Sequence, residues 1–209
     1  MSAPVRVACL GAGYFSRFHL DAWQRVDGAR LVAIADIRPD AARFADLPAF
    51  TDAAAMIRDT GPDLLDIIVP PAAQAEAITT ALDLGVKTII CQKPFCASLA
   101  EAQSMVAAAE DAGSTLIVHE NFRFMPWYRC VKKALTDGAV GTPLLATFRL
   151  RPGDGQGARA YLDRPPYFQS MPRFLVQETA VHWVDVFRFL FGSPDAVYAD
   201  LRRINPAIA

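Results

Sequence analysis

Three short stretches carry residue types whose spacing could do chemistry. In "CQKPF" (residues 91–95), Lys93 precedes a proline that restricts its backbone. An ammonium held there can hydrogen-bond a substrate hydroxyl and lower the cost of developing alkoxide charge. In "ETAVHWVDVFRFLFG" (178–192), Glu178, His182 and Asp185 fall at i, i+4 and i+7, one face of an α-helix. An imidazole there can take a hydroxyl proton while hydride leaves the same carbon, with a neighbouring carboxylate fixing its tautomer. Each residue also has a plainer reading. Lys93 suits a solvated surface, and His182 suits a core histidine among Val181, Val184, Phe187 and Leu190.

The third stretch, "RVACLGAGYFSRFH" (6–19), reads as a strand, a glycine turn and a helix. Gly11 permits the tight turn, and Gly13 lets backbone approach a pyrophosphate at the helix N-terminus. Ser16 stands where a third glycine would allow close helix–strand packing. Asp36 ends the second strand 20 residues later, where a carboxylate can accept from a ribose 2′-hydroxyl. That carboxylate would repel a 2′-phosphate and so favours NAD. Arg38 keeps NADP as the alternative, because an arginine there can pair with that phosphate.

These residues need a scaffold, and the first 120 residues supply an alternating one. Strands are predicted over 5–10, 31–35, 64–70, 86–91 and 115–119, with a minor one at 49–50. Helices are predicted over 15–26, from a cap at Thr51 or Asp52 to Gly61, over 73–84, and from a Ser98 cap to Gly113. Short apolar strands between helices predict a parallel sheet covered on both faces. After His119 the character changes. A helix is predicted over 124–141 and strands over 143–150 and 196–203. Between them lie a Gly- and Pro-rich loop over 151–172 and a helix over 178–192. Two strands make a marginal sheet alone, so this half reads as incomplete.

Composition narrows the function classes. The 209 residues carry 21 basic and 22 acidic side chains, a formal charge of −1, which does not suggest a nucleic-acid partner. No signal-peptide pattern opens the chain, and no apolar run is membrane-spanning in length. Four scattered cysteines suit the reduced thiols of a cytoplasmic protein. The three histidines lie far apart in sequence, so no metal site is expected.

Together "GAGYFSRFH", "DIIVPPAAQ", "CQKPF" and "ETAVHWVDVFRFLFG" resemble the Gfo/Idh/MocA oxidoreductases, with "ENFRF" (120–124) as their crossover into a second domain. The resemblance implies an α/β protein. Its N-terminal Rossmann dinucleotide-binding domain (1–120) is followed by an incomplete C-terminal substrate and oligomerisation domain (121–209), an α/β unit with an open, mostly antiparallel sheet. It implies Lys93 and His182 as catalytic residues, with Glu178, Asn121 and Asp185 in substrate and supporting roles. The implied cofactor contacts are Gly11, Gly13, Tyr14, Phe15, Asp36, Arg38, Pro70, Gln74, Gln92 and Lys93. Gln74 stands where the family often has a histidine lining the nicotinamide region. Gln92 replaces its usual glutamate, Glu178 its aspartate and Ala180 its glycine. The implied reaction is hydride transfer between NAD, or NADP, and a sugar, cyclitol or related polyol, in a homo-oligomer where the second domain is complete. The alternative is a truncated, non-catalytic NAD(P)-binding or redox-sensing protein. Substrate identity is expected to rest on the 151–173 loop.

Overall fold

The structure is a computed structural model describing residues 3–39, 47–150, 171 and 173–202. The chain divides into two compact units, Met1–His119 and Glu120–Ala209. In the first, strands β1 (Val5–Leu10), β2 (Ala29–Ala35), β3 (Ala49–Phe50), β4 (Leu64–Ile67), β5 (Thr88–Gln92) and β6 (Thr115–His119) form one sheet, ordered β3-β2-β1-β4-β5-β6. Every pairing is parallel. Helices α1 (Ser16–Trp23), α2 (Ala53–Thr60), α3 (Pro71–Asp83) and α4 (Leu99–Asp111) make the crossovers. The strand order reverses between β1 and β4. Ligands of such sheets bind in the crevice beyond the strand carboxyl ends at that point.

Local chemistry explains the element ends. Asp52 caps α2 by accepting from the Ala55 N–H at 2.6 Å, and Gly61 closes it in the left-handed region at φ +50°. Ser98 caps α4 by accepting from the Glu101 N–H at 3.2 Å, while Glu101 Oε2 accepts from the Ala97 N–H at 2.7 Å. Helix α3 begins at Pro71, two residues earlier than its alanines predict, because proline suits a first helical position.

Both sheet faces are covered. Ala8, Ala33, Ala35, Leu65, Ile67, Ile89 and Cys91 pack with Met56 and Ile57 of α2 and Ile78 and Ala81 of α3. Val7, Cys9, Ile34 and Leu64 pack with Leu20 of α1. Each large aliphatic buried this way contributes about 1.5–3 kcal/mol of transfer free energy.

The second unit departs from expectation. Its described residues hold a 3₁₀ turn (Phe122–Phe124), α5 (Pro126–Thr136), a π-helical stretch (Leu175–Ala180) and α6 (Val181–Phe191). The expected α/β domain with a mostly antiparallel sheet is not what the structure contains: the described part is helical, and the molecule's one described sheet is wholly parallel. Residues 143–150 and 196–202 have strand-like composition, but among the described residues neither finds a ladder partner. Without backbone partners a β-rich segment gains nothing from extension. Leu144 is accordingly 95% exposed and Tyr198 91%. Most of the 151–172 loop lies outside the described residues. Among the described residues, no helix is long and apolar enough to cross a membrane.

Candidate functional site

At the carboxyl end of β1 the two glycines differ in kind. Gly11 sits at φ +104°, and a Cβ there would lie 2.3 Å from the Ile68 carbonyl oxygen, so the fold itself demands glycine. At Gly13 a Cβ would meet nothing within 4 Å, and the backbone is not left-handed. Nothing in the described protein requires that glycine, whereas a ligand lying close to the backbone would. Ser16 starts α1, is buried, and its Oγ has no hydrogen-bond partner among the described residues. Tyr14 and Phe15 remain exposed beside this turn, and Pro70 is exposed at the start of α3.

Asp36 is buried just past β2 and ties this edge together. Its Oδ2 accepts from the Ala12 N–H at 2.8 Å, and its Oδ1 accepts from the Arg38 N–H at 2.9 Å and Arg38 Nε at 3.0 Å. Arg38 Nη2 adds a fourth bond at 3.3 Å. Burial pushes the Asp36 carboxyl up, but the Arg38 side chain and the Ala12 and Arg38 amides together hold it below the ordinary carboxylate range. The four acceptor positions of the carboxylate are thus filled. A ribose hydroxyl gains access only by displacing the guanidinium, which is 64% exposed and free to swing outward.

Lys93 follows β5 and is half-buried in a turn braced from two sides. Its N–H donates to the Gln92 Oε1 at 2.8 Å. Gln74 is 0% exposed, and its Nε2 donates to the carbonyls of Gln92 (2.8 Å), Pro94 (3.1 Å) and Val69 (3.2 Å). Its Oε1 accepts from the Cys96 N–H at 2.6 Å. Gln74 and Gln92 are two of the cofactor contacts that the family resemblance implies. The structure spends the Gln74 amide on the turn, and the Gln92 amide on Lys93 and His19.

In the second unit His182 is buried on α6, with its Nδ1 2.8 Å from both carboxylate oxygens of Glu120. The ring stacks on Phe122, centroids 3.8 Å apart and 7° from parallel. Glu120 Oε1 also accepts from the Phe122 N–H at 2.9 Å, so one carboxylate orients both layers of the stack. Asp185, expected beside His182, instead forms an ion pair with Arg123. Burial opposes the charge on Arg123, but the Asp185 hydrogen bond outweighs it and raises the guanidinium further. Glu178 lies in the π-helical stretch that precedes α6, the helix carrying His182 and Asp185. Asn121 is exposed ahead of the 3₁₀ turn.

Glu120, His19 and Asp66 are polar residues of these networks that residue type and spacing alone do not single out. Glu120 stands just past the last strand, at the sheet edge where such folds place functional groups. Asp66 was visible as a charge inside the apolar run "LLDIIV". A buried charge of that sort needs partners, and His19 and Trp23 provide them.

Residues 5–120 match the model of an oxidoreductase family with an NAD-binding Rossmann fold, and residues 128–209 match the GFO/IDH/MocA C-terminal domain. The chain belongs to the Gfo/Idh/MocA family. Its first unit is that family's NAD-binding Rossmann domain. Among curated relatives, D-apiose dehydrogenase of Paraburkholderia graminis is 40% identical over 207 residues, covering 97% of this chain and 54% of that protein. Inositol 2-dehydrogenase 1 of Saccharopolyspora erythraea is 32% identical over 197 residues, covering 90% of this chain and 55% of that one. The chain therefore spans about half the length of the curated relatives it matches. A solved oxidoreductase from Agrobacterium radiobacter, in complex with NAD+, L-tartaric acid and magnesium, superposes with a TM-score of 0.86 at 31% identity, covering 99% of this chain and 60% of its own.

Proposed function

We propose that this Gfo/Idh/MocA protein is an NAD-dependent dehydrogenase acting on a secondary alcohol of a sugar, cyclitol or related polyol. The observation that carries the reading is the His182–Glu120 pair: a buried imidazole whose Nδ1 faces a carboxylate has its other nitrogen available as a base. The relatives named for D-apiose and inositol support a polyhydroxylated substrate.

For the cofactor, the unobstructed Gly13 backbone at the start of α1 fits a pyrophosphate, and Asp36 fits the ribose hydroxyls of NAD. The nicotinamide, when bound, supplies the hydride acceptor. His182 takes the hydroxyl proton at Nε2 as the carbinol carbon becomes a carbonyl. Glu120 keeps the remaining ring proton on Nδ1 and steadies the imidazolium. Lys93, in the Rossmann unit, supplies an ammonium suited to hydrogen-bond a substrate oxygen and stabilise developing negative charge.

The test is titration of the protein with NADH and NADPH by nicotinamide fluorescence, followed by a polyol oxidation screen with K93A and H182A alongside. The reading predicts tighter NADH than NADPH binding, retained in both variants, with turnover confined to the unsubstituted chain. Binding of neither dinucleotide, or undiminished turnover in H182A, overturns it.

A further inference from the structure

One buried hydrogen-bond chain in the Rossmann unit has its polarity set at both ends. The Lys93 backbone N–H donates to Gln92 Oε1 at 2.8 Å, and the Trp23 indole N–H donates to Asp66 Oδ2 at 2.7 Å. Neither donor can reverse its role. Gln92 must therefore turn its NH₂ toward His19 Nε2, 2.9 Å away. An amide NH₂ only donates, so Nε2 must carry a lone pair. The ring proton then sits on Nδ1, 2.9 Å from Asp66 Oδ2. His19, Asp66 and Gln92 are all buried, which leaves little room for water to offer another arrangement.

The groups facing His19 agree with this assignment. Asp66 faces it from β4, Gln92 from β5, His119 from β6 with its ring edge-on at 4.6 Å, and Phe15 from just ahead of α1. Cys9 and Cys91 are the thiols coupled to Asp66. Burial and then Asp66 push Cys9 up; burial, Cys96 and Asp66 push Cys91 up, so both remain thiols at neutral pH.

We propose that Gln92 is a positioning residue whose amide holds His19 as the neutral Nδ1–H tautomer while its oxygen anchors the backbone of Lys93. The functional weight of that anchoring rests on the role given to Lys93 above. The amide is the deciding chemistry. A carboxylate at position 92 keeps an acceptor for the Lys93 N–H, but its second oxygen is satisfied only if His19 Nε2 gains a proton. With Nδ1 still donating to Asp66, the ring would become an imidazolium between two carboxylates.

The experiment is long-range ¹H–¹⁵N NMR of the histidine rings in the full chain at neutral pH, with His19 assigned by H119Q and H182Q. The expected spectrum has one protonated nitrogen, Nδ1, and one bare nitrogen, Nε2. Q92E, nearly isosteric, is expected to show both nitrogens protonated. Amide hydrogen exchange at Lys93 is expected to speed by about tenfold in Q92A and to be restored in Q92E. A proton on Nε2 in the unsubstituted chain, or a Q92E ring identical to it, overturns the tautomer assignment. Unchanged Lys93 exchange in Q92A overturns the anchoring, and the exchange comparison in Q92E decides it where Q92A does not fold. These readouts need no turnover, so failure of the dehydrogenase reading is seen separately in the polyol screen.

Discussion

Glu120 and His182 lie 62 positions apart in sequence, and both oxygens of the carboxylate stand 2.8 Å from the imidazole Nδ1. That pairing, not the helical neighbour Asp185, gives His182 its orientation. Exchanging Glu120 for glutamine keeps the shape but lets an amide NH₂ face Nδ1 and favour the wrong tautomer. E120Q is expected to lower kcat by about a hundred- to ten-thousand-fold. D185N loses the Arg123 ion pair and is expected to stay within about tenfold. Steady-state kinetics on the polyol found by the screen checks both, and equal losses would remove the distinction.

The two glycines of the dinucleotide turn should separate folding from binding. G11A places a Cβ against the Ile68 carbonyl in a left-handed backbone, so a loss of about 3 kcal/mol or more is expected. G13A meets no neighbour and is expected to melt within about 0.5 kcal/mol of the parent chain while binding NADH roughly tenfold more weakly. Thermal melts paired with NADH titrations read both quantities. A G13A protein that binds NADH normally removes the argument from its open backbone.

Acid should unload Asp36. Its folded carboxyl lies below its unfolded value, so its stabilising contribution is complete above about pH 4 and is lost as pH falls through the depressed value. The parent chain is therefore expected to lose melting temperature more steeply than D36N on acidification below about pH 4. The difference should shrink in high salt because Arg38 is largely solvent-facing. Parallel curves for the two proteins would show that Asp36 is not the group responsible.

Gln74 is expected to matter for stability. Q74L deprives the Cys96 N–H and three carbonyls of their partner in a sealed site, at a cost of about 2–3 kcal/mol. Urea unfolding should show a lower midpoint with an unchanged slope. A midpoint unmoved by Q74L would mean that this clamp contributes nothing net.

Thiol reactivity should sort the four cysteines. All are free, and Cys130 alone is exposed. Burial raises Cys9 and Cys91, and burial followed by Glu101 pushes Cys96 up to about 11. A disulfide reagent at neutral pH is expected to modify Cys130 quickly and the other three only as the protein opens. Two or more fast thiols in the native chain would contradict the buried arrangement.

The features legible from residue order alone are local or nearly so. The Gly11–Gly13 turn, the caps at Thr51 or Asp52 and at Ser98, and the alternation of apolar strands with helices follow from φ preferences, side-chain acceptors and residue period within a few positions. They were enough to specify the parallel Rossmann unit and its crevice. The spacing of Asp36 also marked its place at the end of β2. Tertiary structure alone decided which polar groups meet. Glu120 rather than Asp185 serves His182, because a hydrogen bond depends on distance in space and Asp185 is taken by Arg123. Gln74 and Gln92 became internal braces because burial obliges an amide to satisfy the backbone around it. The strand-like segments 143–150 and 196–202 remained unpaired among the described residues for the same reason. A strand is a relationship between two segments, and no single segment can specify its partner.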